Sequence, residues 1–241
     1  MDHQVHAFDR TFLLKWTLFT SGAFLLSLPL IVILPQLLPL PDWAGVLGGT
    51  TLIGAMVGYA QWLVMKKRVP LSGWWVFACA VGMGLPPVAS SLASRFGAAV
   101  SLPEGAAGKS LSWTAVGVLG GLISGILQKP LLERHLPKTG WWIVASAAGW
   151  GLCMLAASLV DASVTLASSG FAGSSNTLVA ILTGFTGFAG GLLFSVPLGV
   201  VTGVCLIWIA NHSSQSPSPL ATGGSLGRSN GSRAGDSLTA S

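Results

Sequence analysis

Five predominantly apolar stretches, residues 11–34, 43–65, 74–93, 113–132 and 141–160, each reach the length at which a helix crosses a bilayer. A hydrocarbon core of about 30 Å takes about 20 helical residues, and inside it the backbone must satisfy its own hydrogen bonds. A sixth stretch, 178–210, holds one span with a turn or two to spare, or a half-span followed by a full one. The rest of the composition agrees: 51% of the chain is apolar and 8% is charged, where a soluble domain carries about 25% charged residues. A disordered chain, a disulfide scaffold and a soluble enzyme of ordinary build are excluded. The expected fold class is all-α and integral to the membrane, with six transmembrane helices over residues 11–210. A short N-terminal arm (1–10) and a Ser/Gly-rich tail (211–241), expected to be disordered, flank it.

Charge orients the spans. Six crossings place Arg10, Lys15, Lys66, Lys67, Arg68, Lys129, Arg134, Lys138, Arg228 and Arg233 on one side and only Arg95 and Lys109 on the other. Cationic loops stay in the cytoplasm, so both termini are expected there. A net charge of +5 spread in this way is no basic stripe for nucleic acid. Trp16, Trp62, Trp74, Trp75, Trp141, Trp142 and Trp208 fall at the same inner ends, where indole rings favour the headgroup level. Lys66, Lys67, Arg68, Trp74, Trp75, Lys138, Trp141 and Trp142 thus read as an interfacial belt. Such a belt attracts anionic lipid at about 1 kcal/mol per charge, although setting the topology explains the same residues equally well.

Residues 54–85 match 121–152 without a gap, at an offset of 67, with twelve identities in 32 positions. Gly54, Gly58, Gln61, Pro70, Gly73, Trp74 and Trp75 recur as Gly121, Gly125, Gln128, Pro137, Gly140, Trp141 and Trp142. A worn third copy places Ser195, Gly199 and Gly203 where Thr50, Gly54 and Gly58 stand, and the first span, with Trp16 and Gly22, resembles the start of the third and fifth after a one-residue shift. Three parallel two-helix units, spans 1–2, 3–4 and 5–6, follow from this, around a pseudo-axis along the membrane normal. The even-numbered helices carry small residues every fourth position: Thr50, Gly54 and Gly58; Gly117, Gly121 and Gly125; Gly187, Gly191, Ser195, Gly199 and Gly203. Residues so spaced share one helix face and let backbones approach closely. Three glycine seams facing one another around the axis are expected.

Little inside the bilayer can carry chemistry. No Asp, Glu, Lys, Arg or His falls near mid-membrane in the predicted spans, which argues against proton pumps and ion-coupled transporters. His3, His6, His135 and His212 lie in the arm, a loop and the last helix end. Cys79, Cys153 and Cys205 are dispersed within helices. No zinc motif or phosphate loop occurs, so no enzyme, metal or cofactor is expected. Gln61 and Gln128 occupy equivalent helix-end positions. An interhelical hydrogen bond, contributing roughly 0.6–2 kcal/mol, is one role; ligating a pigment magnesium or a polar headgroup is another.

At this repeated GxxxGxxQ…P..GWW stretch the chain resembles a group of uncharacterised polytopic membrane proteins of cyanobacteria and other bacteria, over roughly residues 54–152. The resemblance implies a bacterial inner or thylakoid membrane and brings no activity with it. Lys129-Pro130 stands in the second copy where the first has Trp62-Leu63, so the QW pair is not kept. Two functions fit. One is a non-enzymatic scaffold, assembly factor or auxiliary subunit associating with lipid, pigment or other membrane proteins. The other is a facilitator of a small neutral or amphipathic solute. A filled pseudo-axis favours the first, and a wet central cavity lined by Gln61, Gln128 or Tyr59 favours the second.

Overall fold

The computed structural model describes residues 8–37, 41–95, 105–136, 138–169 and 177–213. The arm before Phe8 and the expected disordered tail beyond 213 lie outside the described residues. Six helices account for nearly all of what is described: α1 (Arg10–Leu37), α2 (Asp42–Met65), α3 (Trp74–Arg95), α4 (Ala106–Glu133), α5 (Gly140–Ser169) and α6 (Thr177–Ser213). No strand occurs among the described residues. Segments of four helices, Arg10–Leu30, Ala106–Glu133, Gly140–Val160 and Gly190–His212, are long and apolar enough to cross a membrane. Large apolar side chains such as Leu14, Leu26, Leu119, Ile126, Leu159 and Leu193 stand exposed on the outer faces. A surface of that kind needs hydrocarbon around it, and the protein is an α-helical membrane protein.

Three boundaries depart from expectation. α4 begins at Ala106, ahead of Trp113, and so takes in Lys109; α5 runs to Ser169, through residues expected to form a loop. α6 is a single helix from Thr177 that continues through Pro197, which disposes of a half-span followed by a full one.

Two connections are built alike. After α2, the Arg68 and Val69 amides bond the Met65 carbonyl at 2.8 and 2.9 Å; after α4, those of His135 and Leu136 bond Leu132 at 2.9 and 2.8 Å. Each hairpin then enters its next helix through an amide-to-carbonyl bond, Trp75 to Ser72 at 3.2 Å and Trp142 to Thr139 at 3.0 Å. Ser or Thr at a helix start is the sequence signal in both places.

The helices form a ring. Each packs against the helix before and after it, and α6 closes on α1. Two layers fill the interior: Phe12, Trp16, Trp75, Trp142, Met65, Leu132 and Leu206 at the end bearing the basic hairpins, and Phe24, Val57, Met83, Trp150, Phe194 and Leu198 beyond them.

The glycine seams do not face one another. A Cβ on Gly54 would strike the Cys79 carbonyl oxygen, and one on Gly58 would lie 2.7 Å from the Cys79 Cβ, so the α2 seam packs on α3. One on Gly121 would strike the Ser146 carbonyl oxygen; one on Gly125 would lie 2.9 Å from the Ile143 Cα, and one on Gly117 2.6 Å from the Trp150 carbonyl oxygen, all on α5. On α6, Gly199 faces the Thr17 Cα at 2.8 Å and Gly203 faces Leu13 and Trp16, whereas Gly191 meets only the tips of Leu25 and Leu28, all on α1. Each seam serves the contact between an even helix and the next odd one. The expectation of a glycine-lined centre is therefore corrected: small residues bring neighbours together around the ring, and large side chains remain to fill the middle.

Candidate functional site

The middle, at the basic end, is filled by three indoles. Trp16 on α1, Trp75 on α3 and Trp142 on α5 are fully buried. Their helices are not neighbours in the ring, so the rings meet by reaching across it. The Trp75 and Trp142 centroids lie 5.4 Å apart with planes at 44°, and Trp16 meets Trp142 edge-on at 6.4 Å. Phe12 stacks on Trp16 at 5.6 Å.

A buried indole N–H needs an acceptor, and each of the three has one on the preceding or closing even helix. Trp75 Nε1 donates to Gln61 Oε1 at 3.3 Å, and Trp142 Nε1 donates to Gln128 Oε1 at 2.9 Å. Trp16 Nε1 donates to Thr202 Oγ1 at 3.0 Å, and that hydroxyl donates in turn to the Leu198 carbonyl at 2.5 Å. Gln128 Nε2 donates to Cys79 Sγ at 2.9 Å, and the Cys79 thiol lies 3.9 Å from Gln61 Oε1. A polar chain thus crosses from α5 through α4 and α3 to α2 while the surroundings stay apolar. Gln61 and Gln128 are both engaged in interhelical bonds and both buried.

The third pair departs in register. Leu206 stands where the other two copies have glutamine, since Gly203 occupies the place of Gly58 and Gly125. With Trp16 aligned to Trp75, Gly199 should oppose Thr20, as Gly54 opposes Cys79; it opposes Thr17 instead. α6 is displaced along α1 by about one helical turn, and the acceptor moves with it to Thr202, one turn before Leu206.

The belt divides. Trp74 and Trp141 are 64% and 58% exposed, whereas Trp75 and Trp142 are 0% and 1% exposed. Only the first tryptophan of each GWW pair can serve at a lipid interface; the second, expected in the belt as well, belongs to the core. Trp141 meets Trp208 edge-on at 6.1 Å. Lys66 covers the Trp62 ring at 4.2 Å, and Lys67 is exposed. Arg68 lies 3.7 Å from Asp9 and over the Phe8 and Phe12 rings. The exposed Lys138 takes a left-handed backbone conformation, with φ at 58°. Asp9 Oδ1 accepts the Phe12 amide at 2.8 Å and caps α1. That bond, with Arg68 and Lys15 adding to it, holds the Asp9 carboxyl below the ordinary carboxylate range.

Nothing in the sequence marks Thr202 as an acceptor or turns Trp16 inward, and Cys79 reads there as a small residue within a helix. Cys79 had a signal: it stands at the repeat position of Ser146, a small residue opposite a seam glycine in both copies. Among the described residues no group of three or more His, Cys, Asp or Glu could hold a metal.

A ring of apolar helices closed by an indole cluster defines a helical membrane protein with a packed interior at its basic end. The chain matches no family model, no curated protein and no solved structure.

Proposed function

We propose that this chain is a non-enzymatic membrane component, a scaffold, assembly factor or auxiliary subunit, that associates through its outer faces with lipid, pigment or other membrane proteins. The observation that carries the reading is the meeting of Trp16, Trp75 and Trp142 across the ring, with Gln61 and Gln128 consumed in holding them. A solute path along the axis would have to part three hydrogen-bonded indoles. The proposal includes six spans arranged as three related two-helix units, both termini cytoplasmic, in a bacterial inner or thylakoid membrane, and kinship with the bacterial group that shares the repeated motif. Recurrence supports the units. Gly54 and Gly121 meet the corresponding carbonyls of Cys79 and Ser146, and Gly82 and Gly149 meet the corresponding residues Ser124 and Thr202.

The facilitator reading draws on a cavity of about 190 Å³ at the opposite end, lined by Gly49, Thr50, Met83, Trp113 and Met154 among others. Its walls include Met83 and Met154, which belong to the buried core. Purification in mild detergent with partner, lipid and pigment analysis tests the choice. Stoichiometric partner subunits are expected; a lone monodisperse protein that conducts a solute in liposomes would overturn the scaffold reading.

A further inference from the structure

Three contacts join an odd helix to the next even one, and the one between α1 and α2 leaves a groove beside Gly22. Between α3 and α4, a Cβ on Gly82 would strike the Ser124 hydroxyl and lie 2.7 Å from the Gly120 carbonyl oxygen. Between α5 and α6, one on Gly149 would lie 3.0 Å from Leu198 and 3.4 Å from Thr202. On α1 the corresponding residue is the buried Ala23, and a Cβ on Gly22, one residue before it, would meet nothing within 4 Å. Beside it a groove of about 290 Å³ runs between α1 and α2, walled by Phe19, Leu26, Met56, Tyr59 and Leu63 with almost no polar surface.

Toward the basic end this groove shares Phe19 and Leu63 with a second cavity of about 630 Å³. Its lining brings together Lys15, Lys66, Lys67 and Arg68, with Asp9 as the one carboxylate. Asp9 is already occupied as the cap of α1 and in its ion pair with Arg68. Lys15 and Lys67 are exposed at the mouth. A cationic cup at the end of an apolar channel, on the outer side of a helix ring, matches one kind of molecule in shape and charge: an anionic head on an acyl chain.

We propose that the α1–α2 cleft is a binding site for an anionic phospholipid, whose phosphate is held by Lys15, Lys66 and Lys67 and whose acyl chain lies along Gly22, Met56 and Tyr59. The inference rests on the six-span reading, which sets the cup at the headgroup level, and is independent of whether the protein is a scaffold or a facilitator. A lone surface lysine attracts any anionic bilayer; the open groove below the cup is what makes the occupant a single lipid held by both its ends.

The test uses the full chain in detergent micelles doped with phosphatidylglycerol or phosphatidylcholine, with lipid retention read by native mass spectrometry. Phosphatidylglycerol is expected to be retained in preference to phosphatidylcholine, and the double substitution Lys15→Gln and Lys67→Gln to weaken its retention by about tenfold or more. Gly22→Leu, which fills the open space and leaves the charges in place, is expected to reduce retention while the melting temperature in lipid-free detergent does not fall. Inorganic phosphate in excess should fail to displace the lipid. Equal retention of the two lipids, or retention that survives both variants, overturns the proposal. Displacement by phosphate together with insensitivity to Gly22→Leu overturns it in favour of a soluble anion. Maleimide labelling of Ser72→Cys in sealed vesicles reads the topology separately, so failure of the six-span reading is not confused with failure of the lipid site.

Discussion

Trp142 donates its indole N–H to Gln128 at 2.9 Å across the α4–α5 contact, fourteen residues away in the chain. Trp75 and Gln61 stand in the same relation at the same separation across α2–α3. One hairpin therefore solves one problem twice: an indole needed at the centre of the ring is supplied with an acceptor from its own preceding helix. In an apolar interior that bond is costly to lose, because no water replaces it.

Gln128→Leu keeps the volume and removes the acceptor. It is expected to destabilise the fold by about 1–3 kcal/mol, the penalty for a buried donor left unpaired. Trp142→Phe removes the donor and leaves a gap, and should cost at least as much. Trp141→Phe, one residue away on the exposed side, is expected to change stability by less than about 0.5 kcal/mol. Thermal unfolding in detergent, followed by circular dichroism, separates the three; similar losses at positions 141 and 142 would contradict the division of the GWW pair.

Seam glycines sort by what a methyl group would touch. At Gly121 it would run into the Ser146 backbone carbonyl, which cannot move away without separating α4 from α5. Gly121→Ala should therefore cost about 1–3 kcal/mol. At Gly22 there is open space, so Gly22→Ala should be neutral or stabilise by up to about 1 kcal/mol through the unfolded chain and helix propensity. Opposite signs in the melting temperatures of the two variants check this.

Much of the fold is legible because length and apolarity are properties of a stretch taken alone. α5 is recognisable from its sequence without knowing its neighbours. Which neighbour a face meets is another matter. Small residues at 54, 58, 121 and 125 announce a close approach but not its partner, and a partner one step around the ring leaves the same pattern as one across it. Tryptophan at a helix end is ambiguous for a similar reason. An indole suits both a headgroup layer and a core that supplies an acceptor. Adjacent helical residues point about 100° apart, so Trp74 and Trp75 were bound to face differently, yet nothing local says which turns inward. The acceptor role of Thr202 is hidden further by the displacement of α6 along α1.

Asp9 gives the basic end a dependence on acid. Its folded carboxyl is held below the ordinary value by the Phe12 amide and by Arg68. A depressed carboxylate stabilises the fold above its unfolded pKa of about 3.9, and that contribution is lost as the pH falls through the lower folded value. The first turn of α1 should fray on acidification below about pH 4 and not on going from neutral to alkaline pH. Asp9→Asn keeps a capping oxygen without the charge and should remove that acid dependence. Amide exchange at Phe12 over a pH series, corrected for the intrinsic rate, is the measurement.

Lys138 sits at φ 58° just ahead of α5, where a side chain carries a backbone penalty that glycine escapes. Glycine loses more freedom on folding, which offsets part of the gain. Lys138→Gly is expected to stabilise by about 0.5–1 kcal/mol, read as a rise in melting temperature, with Lys138→Ala showing no such rise.

The displaced third pair offers the strictest check on how the ring closes. Trp16 takes its acceptor from Thr202 and not from the position of Leu206, which corresponds to Gln61 and Gln128. Thr202→Val nearly preserves shape and removes the hydroxyl, so the Trp16 indole loses its partner at a cost of about 1–3 kcal/mol. If α6 lay in the register of α2 and α4, a glutamine introduced at 206 would restore the bond. In the observed register position 206 lies one turn from the acceptor, and Leu206 is itself fully buried, so Leu206→Gln is expected to add an unpaired polar group to the core. The double variant Thr202→Val with Leu206→Gln should therefore unfold more easily than either single variant. Recovery of stability in the double variant would mean that α6 closes the ring one turn from the contact of Gly199 with Thr17, and that the three units are more alike than their contacts now make them.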